Sequence, residues 1–241
     1  MVKVMFADAE YNGEILFNKE LISYIEKNKI KSVAIFASAQ FMHFEKVVKQ
    51  LNEIGVEIIL TKTKRTSRVG QILGCNIYDN NFERNIFQHV GAVIYIGDGA
   101  FHPSALLFAG IKNIIVFNPI SNKMKLISKK DIEKQINKIK INLRKFINAN
   151  TIGILVSLKP GQQHFVLAKK LKLKLKSQGK KAFIFVDNNF NLSDIENFNF
   201  IQCWVNTACP RIGTDDILNI SKPIINIRDA FEPTNALESW D

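Results

Sequence analysis

The chain has 241 residues, with 33 Lys or Arg against 22 Asp or Glu, for a formal net charge of +11. Apolar residues make up 46% and charged residues 23%. That mix excludes an intrinsically disordered chain, and no apolar run approaches the roughly 18 residues of a membrane span. At roughly 150 residues per domain, the length favours two compact domains over one.

In chain order, the opening residues Met1 to Phe6 read directly as a strand and carry no signal-peptide pattern. A cytoplasmic protein is expected. Short β-branched runs then alternate with amphipathic stretches, the pattern of a parallel α/β fold. Strands are predicted at 3–6, 32–37, 57–61, 92–96 and 113–117, and a second set at 152–156, 182–186, 201–205 and 223–227. Helices are predicted at 18–28, 41–54, 103–109, 129–148, 162–178 and near 229–237. Ser128 is a candidate N-cap for the fourth of these, with Asp131 favouring its first turn. That lysine-rich helix reads as a connector between the strand sets, so the boundary is expected near 148–150. The fold class is two similar Rossmann-like α/β domains, 1–149 and 150–241, each a parallel sheet flanked by helices.

The densest charge run extends from Lys169 to Lys176 and resumes at Lys180 and Lys181. Read as a helix, it places Ala168, Leu171 and Leu175 on one buried stripe and the lysines on the wet face. It has few arginines and no interleaved aromatics, which disfavours a single-strand nucleic-acid groove. A solvated face is expected.

Glycine-, proline- and polar-rich segments follow four of the predicted strands. They are Ser38-Ala39-Gln40, then Gly97-Asp98-Gly99-Ala100-Phe101-His102-Pro103, then Ser157-Leu158-Lys159-Pro160-Gly161-Gln162-Gln163, then Asn206-Thr207-Ala208-Cys209-Pro210-Arg211. All stand at strand carboxyl ends, where open α/β sheets bind ligands. Helix N-termini there favour anionic groups. Each segment alone has a plainer reading: a tight turn at Gly97-Asp98-Gly99, the lead into a helix at Lys159-Pro160-Gly161, a helix cap at His102, a loop hydrogen bond from Gln40. The three cysteines are too few for a disulfide framework. Cys75, after Gly70-Gln71-Ile72-Leu73-Gly74, and Cys209, before Pro210, suit a metal or cluster ligand better than a core position. Cys203, inside Phe200-Ile201-Gln202-Cys203-Trp204-Val205, suits the core.

At these residues the sequence resembles the archaeal and eukaryotic diphthamide synthase family, which makes 2-(3-amino-3-carboxypropyl)histidine on translation elongation factor 2. The resemblance lies in Gly70 to Cys75, Tyr95 to Pro103, Ser157 to Gln162 and Val205 to Arg211, in that order, and in Lys222-Pro223 near the C-terminus. It implies three similar domains, each giving one cysteine to a [4Fe-4S] cluster, with S-adenosylmethionine at the iron left open. By resemblance Cys75 is the ligand of the family's middle domain and Cys209 that of its last. The family's N-terminal domain and its cysteine have no counterpart among these residues. The implied arrangement is a synthase completed by a separate chain, hence an oligomer, acting on elongation factor 2. An auxiliary subunit or non-catalytic paralogue with a nucleotide-binding α/β scaffold is the alternative. Gln40, Gly97, Asp98, Gly99, His102, Lys159, Gly161, Gln162 and Arg211 are the candidate S-adenosylmethionine contacts. Lys159 or Arg211 would meet its carboxylate, and Asp98 a ribose hydroxyl or the amine.

Overall fold

The structure is a computed structural model and describes residues 9–83 and 90–240. The strand predicted at 3–6 lies outside the described residues. The chain divides into two compact units, Met1–Ile132 and Glu133–Asp241.

In the first unit, α1 (Lys19–Lys27) starts where the Asn18 side chain accepts from the Leu21 N–H, and it buries Leu21 and Ile25. β1 (Ser32–Ala37) is buried from Val33 onward, as befits a strand covered on both faces. α2 (Glu45–Glu53) buries Val47 and Leu51. β2 (Glu57–Ile59), β3 (Ala92–Ile96), α3 (Phe101–Phe108), β4 (Asn113–Asn118) and β5 (Lys123–Ser128) follow. The sheet order is β2-β1-β3-β4-β5, parallel except for the antiparallel β4–β5 pair. Two expectations change here. The helix predicted over 41–54 is a 3-10 turn at Ala39–Phe41 followed by α2, because Phe41 and Phe44 turn into the core. The pattern gave no sign of β5, which closes a hairpin after β4. In its turn the Asn118 side chain accepts from the Ile120 and Ser121 N–H groups, and Asn122 takes a left-handed φ of 52°.

The second unit holds α4 (Glu133–Asn148), β6 (Thr151–Ser157), α5 (Phe165–Ser177), β7 (Lys181–Asp187), β8 (Cys203–Asn206), β9 (Ile224–Asn226), α6 (Ile227–Phe231) and α7 (Pro233–Glu238). All four strands are parallel, in the order β7-β6-β8-β9. Numbered within each unit, both sheets share the parallel order 2-1-3-4. That is the internal similarity the strand pattern led one to expect. The helix expected to be a connector belongs to the second unit: the Asn142 side chain donates to the Ile224 carbonyl of β9 at 2.9 Å and is itself buried. The division therefore falls at Ile132/Glu133, ahead of the expected 149/150.

Ala168, Leu171 and Leu175 are the buried residues of α5, so its lysines do line the outer face. Lys180 departs from that pattern. Its ammonium donates to the carbonyls of Ile147 at 2.7 Å and Ala149 at 2.5 Å, at the end of α4. Carbonyls left over by a helix C-terminus attract such a cation. Around β8, the Trp204 ring is fully buried against Phe185 and Phe198, with centroids 4.8 and 5.8 Å away. Among the described residues, no helix is long and apolar enough to cross a membrane.

Ser128 and Asp131 form a small cap before α4. The Asp131 carboxylate accepts from the Ser128 backbone N–H at 2.8 Å and from its hydroxyl at 3.2 Å. The backbone bond, more than any other influence, holds the Asp131 carboxyl below its ordinary value. A depressed carboxylate stabilises the fold above its unfolded-state value, and that contribution fades as pH falls through the folded-state value. Asp131→Ala is expected to lower stability at neutral pH by about 0.5 kcal/mol, since the pair is exposed and screened. In acid the two proteins should share one urea midpoint; a gap that persisted there would refute the cap.

Candidate functional site

A parallel sheet whose connections run both ways from a central strand has a crevice at the carboxyl ends where the direction reverses. In the first unit β1 connects outward to β2 on one side, and the chain then returns to place β3 on the other. The reversal lies between β1 and β3. In the second unit it lies between β6 and β8. All four polar segments singled out in the sequence begin at the ends of these four strands.

At the first crevice, Gln40 lies on the 3-10 turn after β1, its side chain exposed and its carbonyl accepting from the Tyr11 N–H at 2.9 Å. Across from it, Gly97, Asp98 and Gly99 follow β3. Asp98 is exposed and accepts from the Gly99 N–H and the Asn118 amide, both at 2.8 Å. His102 falls in the first turn of α3 and is not its N-cap; Ala100 is, with no side-chain cap bond. The His102 ring lies parallel to the buried Tyr95 ring, with centroids 6.4 Å apart. Burial pushes the Tyr95 hydroxyl up to about 12, so it stays protonated.

Cys75 reaches the same edge by another route. Residues 70–72 run beside the end of β1, where the Ala37 N–H donates to the Gly70 carbonyl and the Ile72 N–H to the Ala37 carbonyl. The chain then turns, with the buried Asn76 side chain accepting from the Leu73 N–H at 2.7 Å. A Cβ on Gly74 would stand 2.1 Å from the Phe101 ring. The turn thus lies directly against the exposed Phe101 ring at the start of α3. Cys75 is half-buried, and its Sγ lies 3.9 Å from Arg65 Nη1. The sequence reading missed Arg65, which no motif marks.

At the second crevice, Lys159-Pro160-Gly161-Gln162 is a β-turn: the Gln162 N–H donates to the Lys159 carbonyl at 3.0 Å, and Gly161 has φ 76°. Proline followed by a left-handed glycine is the type II signature. The Lys159 N–H donates to the Ser157 hydroxyl, and the lysine side chain is exposed. Opposite this turn, Cys209 is half-buried at the start of the 3-10 turn Pro210–Gly213.

Arg211 points elsewhere. Its side chain is 5% exposed, and Nε and Nη2 lie 2.5 and 2.8 Å from the Asp215 carboxylate, which also accepts from the Thr214 hydroxyl. Burial pulls the guanidinium down, and Asp215 pulls it back up. Asp216, next to it, is raised by burial and then by Asp215. The Arg211 guanidinium is thus paired with a protein carboxylate inside the loop, whereas the Lys159 side chain is exposed.

Cys203 begins β8, fully buried, and burial pushes its thiol far up. It is a core residue and a poor thiolate. Cys75 and Cys209 have the setting an iron–sulfur ligand needs: thiols in loops, half-accessible, at the ligand-binding edge of their sheets. Among the described residues, no three His, Cys, Asp or Glu side chains gather to hold a metal. The fit is therefore of donor type and placement, with two thiols of the right kind.

A family model described as "Putative diphthamide synthesis protein" matches residues 2–241. The 2-(3-amino-3-carboxypropyl)histidine synthase of Pyrococcus horikoshii is 32% identical over 213 residues, covering 88% of this chain and 59% of that protein. The synthase of the same name from Methanocaldococcus jannaschii is 27% identical over 236 residues, covering 92% of this chain and 59% of that protein. The crystal structure of Dph2 from Pyrococcus horikoshii with a 4Fe-4S cluster is similar at a TM-score of 0.70 and 28% identity, covering 92% of this chain and 61% of that one. The chain thus spans about three-fifths of the length of these relatives.

Proposed function

The chain belongs to the diphthamide synthesis protein family, and from that premise we propose that it forms part of a 3-amino-3-carboxypropyl transferase. The donor is S-adenosylmethionine and the acceptor a histidine of translation elongation factor 2, in the cytoplasm. The observation that carries this reading is the pair of half-buried thiols at the carboxyl edges of the two sheets. Cys75 and Cys209 would each give a thiolate to a [4Fe-4S] cluster. When bound, the cluster would supply one-electron chemistry at an iron that no protein thiolate holds. Cys203 is sealed in the core, so a third thiolate would come from outside these 241 residues, and the arrangement proposed is that a separate chain supplies it.

Each unit's crevice offers candidate contacts to the donor. Lys159 neutralises the carboxylate, and Asp98 accepts from a ribose hydroxyl or the amine. Gln40, Gln162, His102 and the backbone at Gly97, Gly99 and Gly161 complete the polar lining, with Arg211 holding its loop in shape.

The test is an anaerobic assay with reductant, labelled S-adenosylmethionine and elongation factor 2, run with and without a candidate chain carrying the third cysteine. Label should reach the factor only when both chains are present. Transfer by this chain alone would sink the two-chain arrangement. No transfer under either condition would favour the second reading, an auxiliary or non-catalytic paralogue. The count of only two suitable thiols is the observation on that side.

A further inference from the structure

We infer that Asn206 and Asn226 are positioning residues for Cys209, a role that rests on the cluster reading given above. They are the last residues of β8 and β9 and are registered opposite each other. Both are buried, Asn206 at 1% and Asn226 at 4% exposure. A buried amide is costly unless its donors and acceptor are used, and here they are used on one loop. Asn206 Nδ2 donates to the Cys209 carbonyl at 2.8 Å and to Asn226 Oδ1 at 2.9 Å. Its Oδ1 accepts from the Ala208 N–H at 2.9 Å, and Asn226 Nδ2 donates to the Pro210 carbonyl at 2.9 Å.

The pair thus clamps the backbone just before, at and just after Cys209. A third tie holds the loop on the β6 side, where the Thr207 N–H and hydroxyl both donate to the Leu155 carbonyl. Room for the Asn226 amide comes from Gly213, where a Cβ would stand 2.4 Å from Asn226 Oδ1. A ligand thiolate must be delivered at a fixed place, and a loop held through its carbonyls does that without using the sulfur. An apolar pair at the strand ends would close the core equally well but leave the Cys209 and Pro210 carbonyls unheld.

The three cysteines make the test internal. In the full-length chain without iron, Asn226→Ala should raise iodoacetamide labelling of Cys209 relative to Cys75 by about fivefold, the scale of one lost hydrogen bond. Cys203 should remain unlabelled, because the core is intact. Should Asn226→Ala expose Cys203 as well, Gly213→Ala decides, since it displaces the Asn226 amide without removing it. The same selective rise at Cys209 is expected there. After anaerobic reconstitution with iron and sulfide, both variants should release iron to a chelator faster than the unmodified chain.

Unchanged labelling and unchanged release in a folded variant would overturn the positioning role. So would parallel labelling of Cys203 and Cys209 in both variants, which is the signature of a merely structural pair. If the unmodified chain takes up no iron that depends on Cys209, the cluster reading fails. The labelling result still decides whether the asparagines hold the loop.

Discussion

Cys75→Ala and Cys209→Ala are each expected to reduce the iron retained after anaerobic reconstitution to background, while Cys203→Ala retains it. Thiolate ligation demands a sulfur that can lose its proton and reach the metal. Cys75 and Cys209 lie half-accessible in loops, with Arg65 near the first. Cys203 is sealed in β8, where ionisation is heavily opposed. Iron counting together with the visible absorption of the reconstituted chain reads the difference. Melting curves for Cys203→Ala guard against a trivial result, since the cavity it leaves lowers stability without touching a ligand. Loss of iron in Cys203→Ala alone would reverse the assignment.

The second large effect is expected at Arg211. Removing one partner of a buried ion pair typically costs about 3–5 kcal/mol. The Asp215 side chain is 31% exposed, so water recovers part of its solvation and the lower end of that range applies. Arg211→Met should therefore cost about 3 kcal/mol, which for a unit of this size lowers the melting midpoint by about 10 °C or more. Combining it with Asp215→Asn should restore a large part of the loss, because no uncompensated carboxylate is then left. A guanidinium kept mainly for an added ligand's carboxylate behaves otherwise: Arg211→Met would melt like the unmodified chain and lose only affinity for S-adenosylmethionine, measured by calorimetric titration.

What was legible in the sequence follows from how local the cause is. The bounds of β1 and β3 could be read because each is an apolar run closed by polar or glycine residues, with both faces covered by its own unit. The carboxyl-end loops were legible for the same reason, since a strand followed by Gly-Asp-Gly or Lys-Pro-Gly announces its own end. β5 escaped because an edge strand needs no apolar run: Lys123, Met124 and Lys125 satisfy a surface and a hairpin turn sets their pairing. The division at Ile132/Glu133 escaped because the helical pattern continues through the 3-10 turn Lys129–Ile132 into α4. Only the packing of Asn142 on β9 shows which unit owns the helix. At the site, Cys75, Cys209 and the loop residues carry their signal in neighbouring residues. Arg65 and Asn226 carry none, because the approach of Arg65 to Cys75 and the bond from Asn226 to the Pro210 carbonyl exist only after folding. Arg211 shows the converse: a cation in a motif suggests a ligand, and only the fold shows the carboxylate four residues later that pairs with it.

The hairpin that ends the first unit's sheet also bears on self-association. An unpaired parallel edge offers a row of N–H and C=O groups to any other strand, and proteins commonly blunt such edges with lysine. β5 reverses the chain direction at one border of this sheet and sets Lys123 and Lys125 along it, both exposed. Two copies meeting there would align like charges while trying to share backbone hydrogen bonds. Growth of the sheet into a fibre or a strand-swapped dimer is thus discouraged at that border by electrostatics built into the strand itself. High salt, which screens those lysines, is the condition under which this protection weakens first.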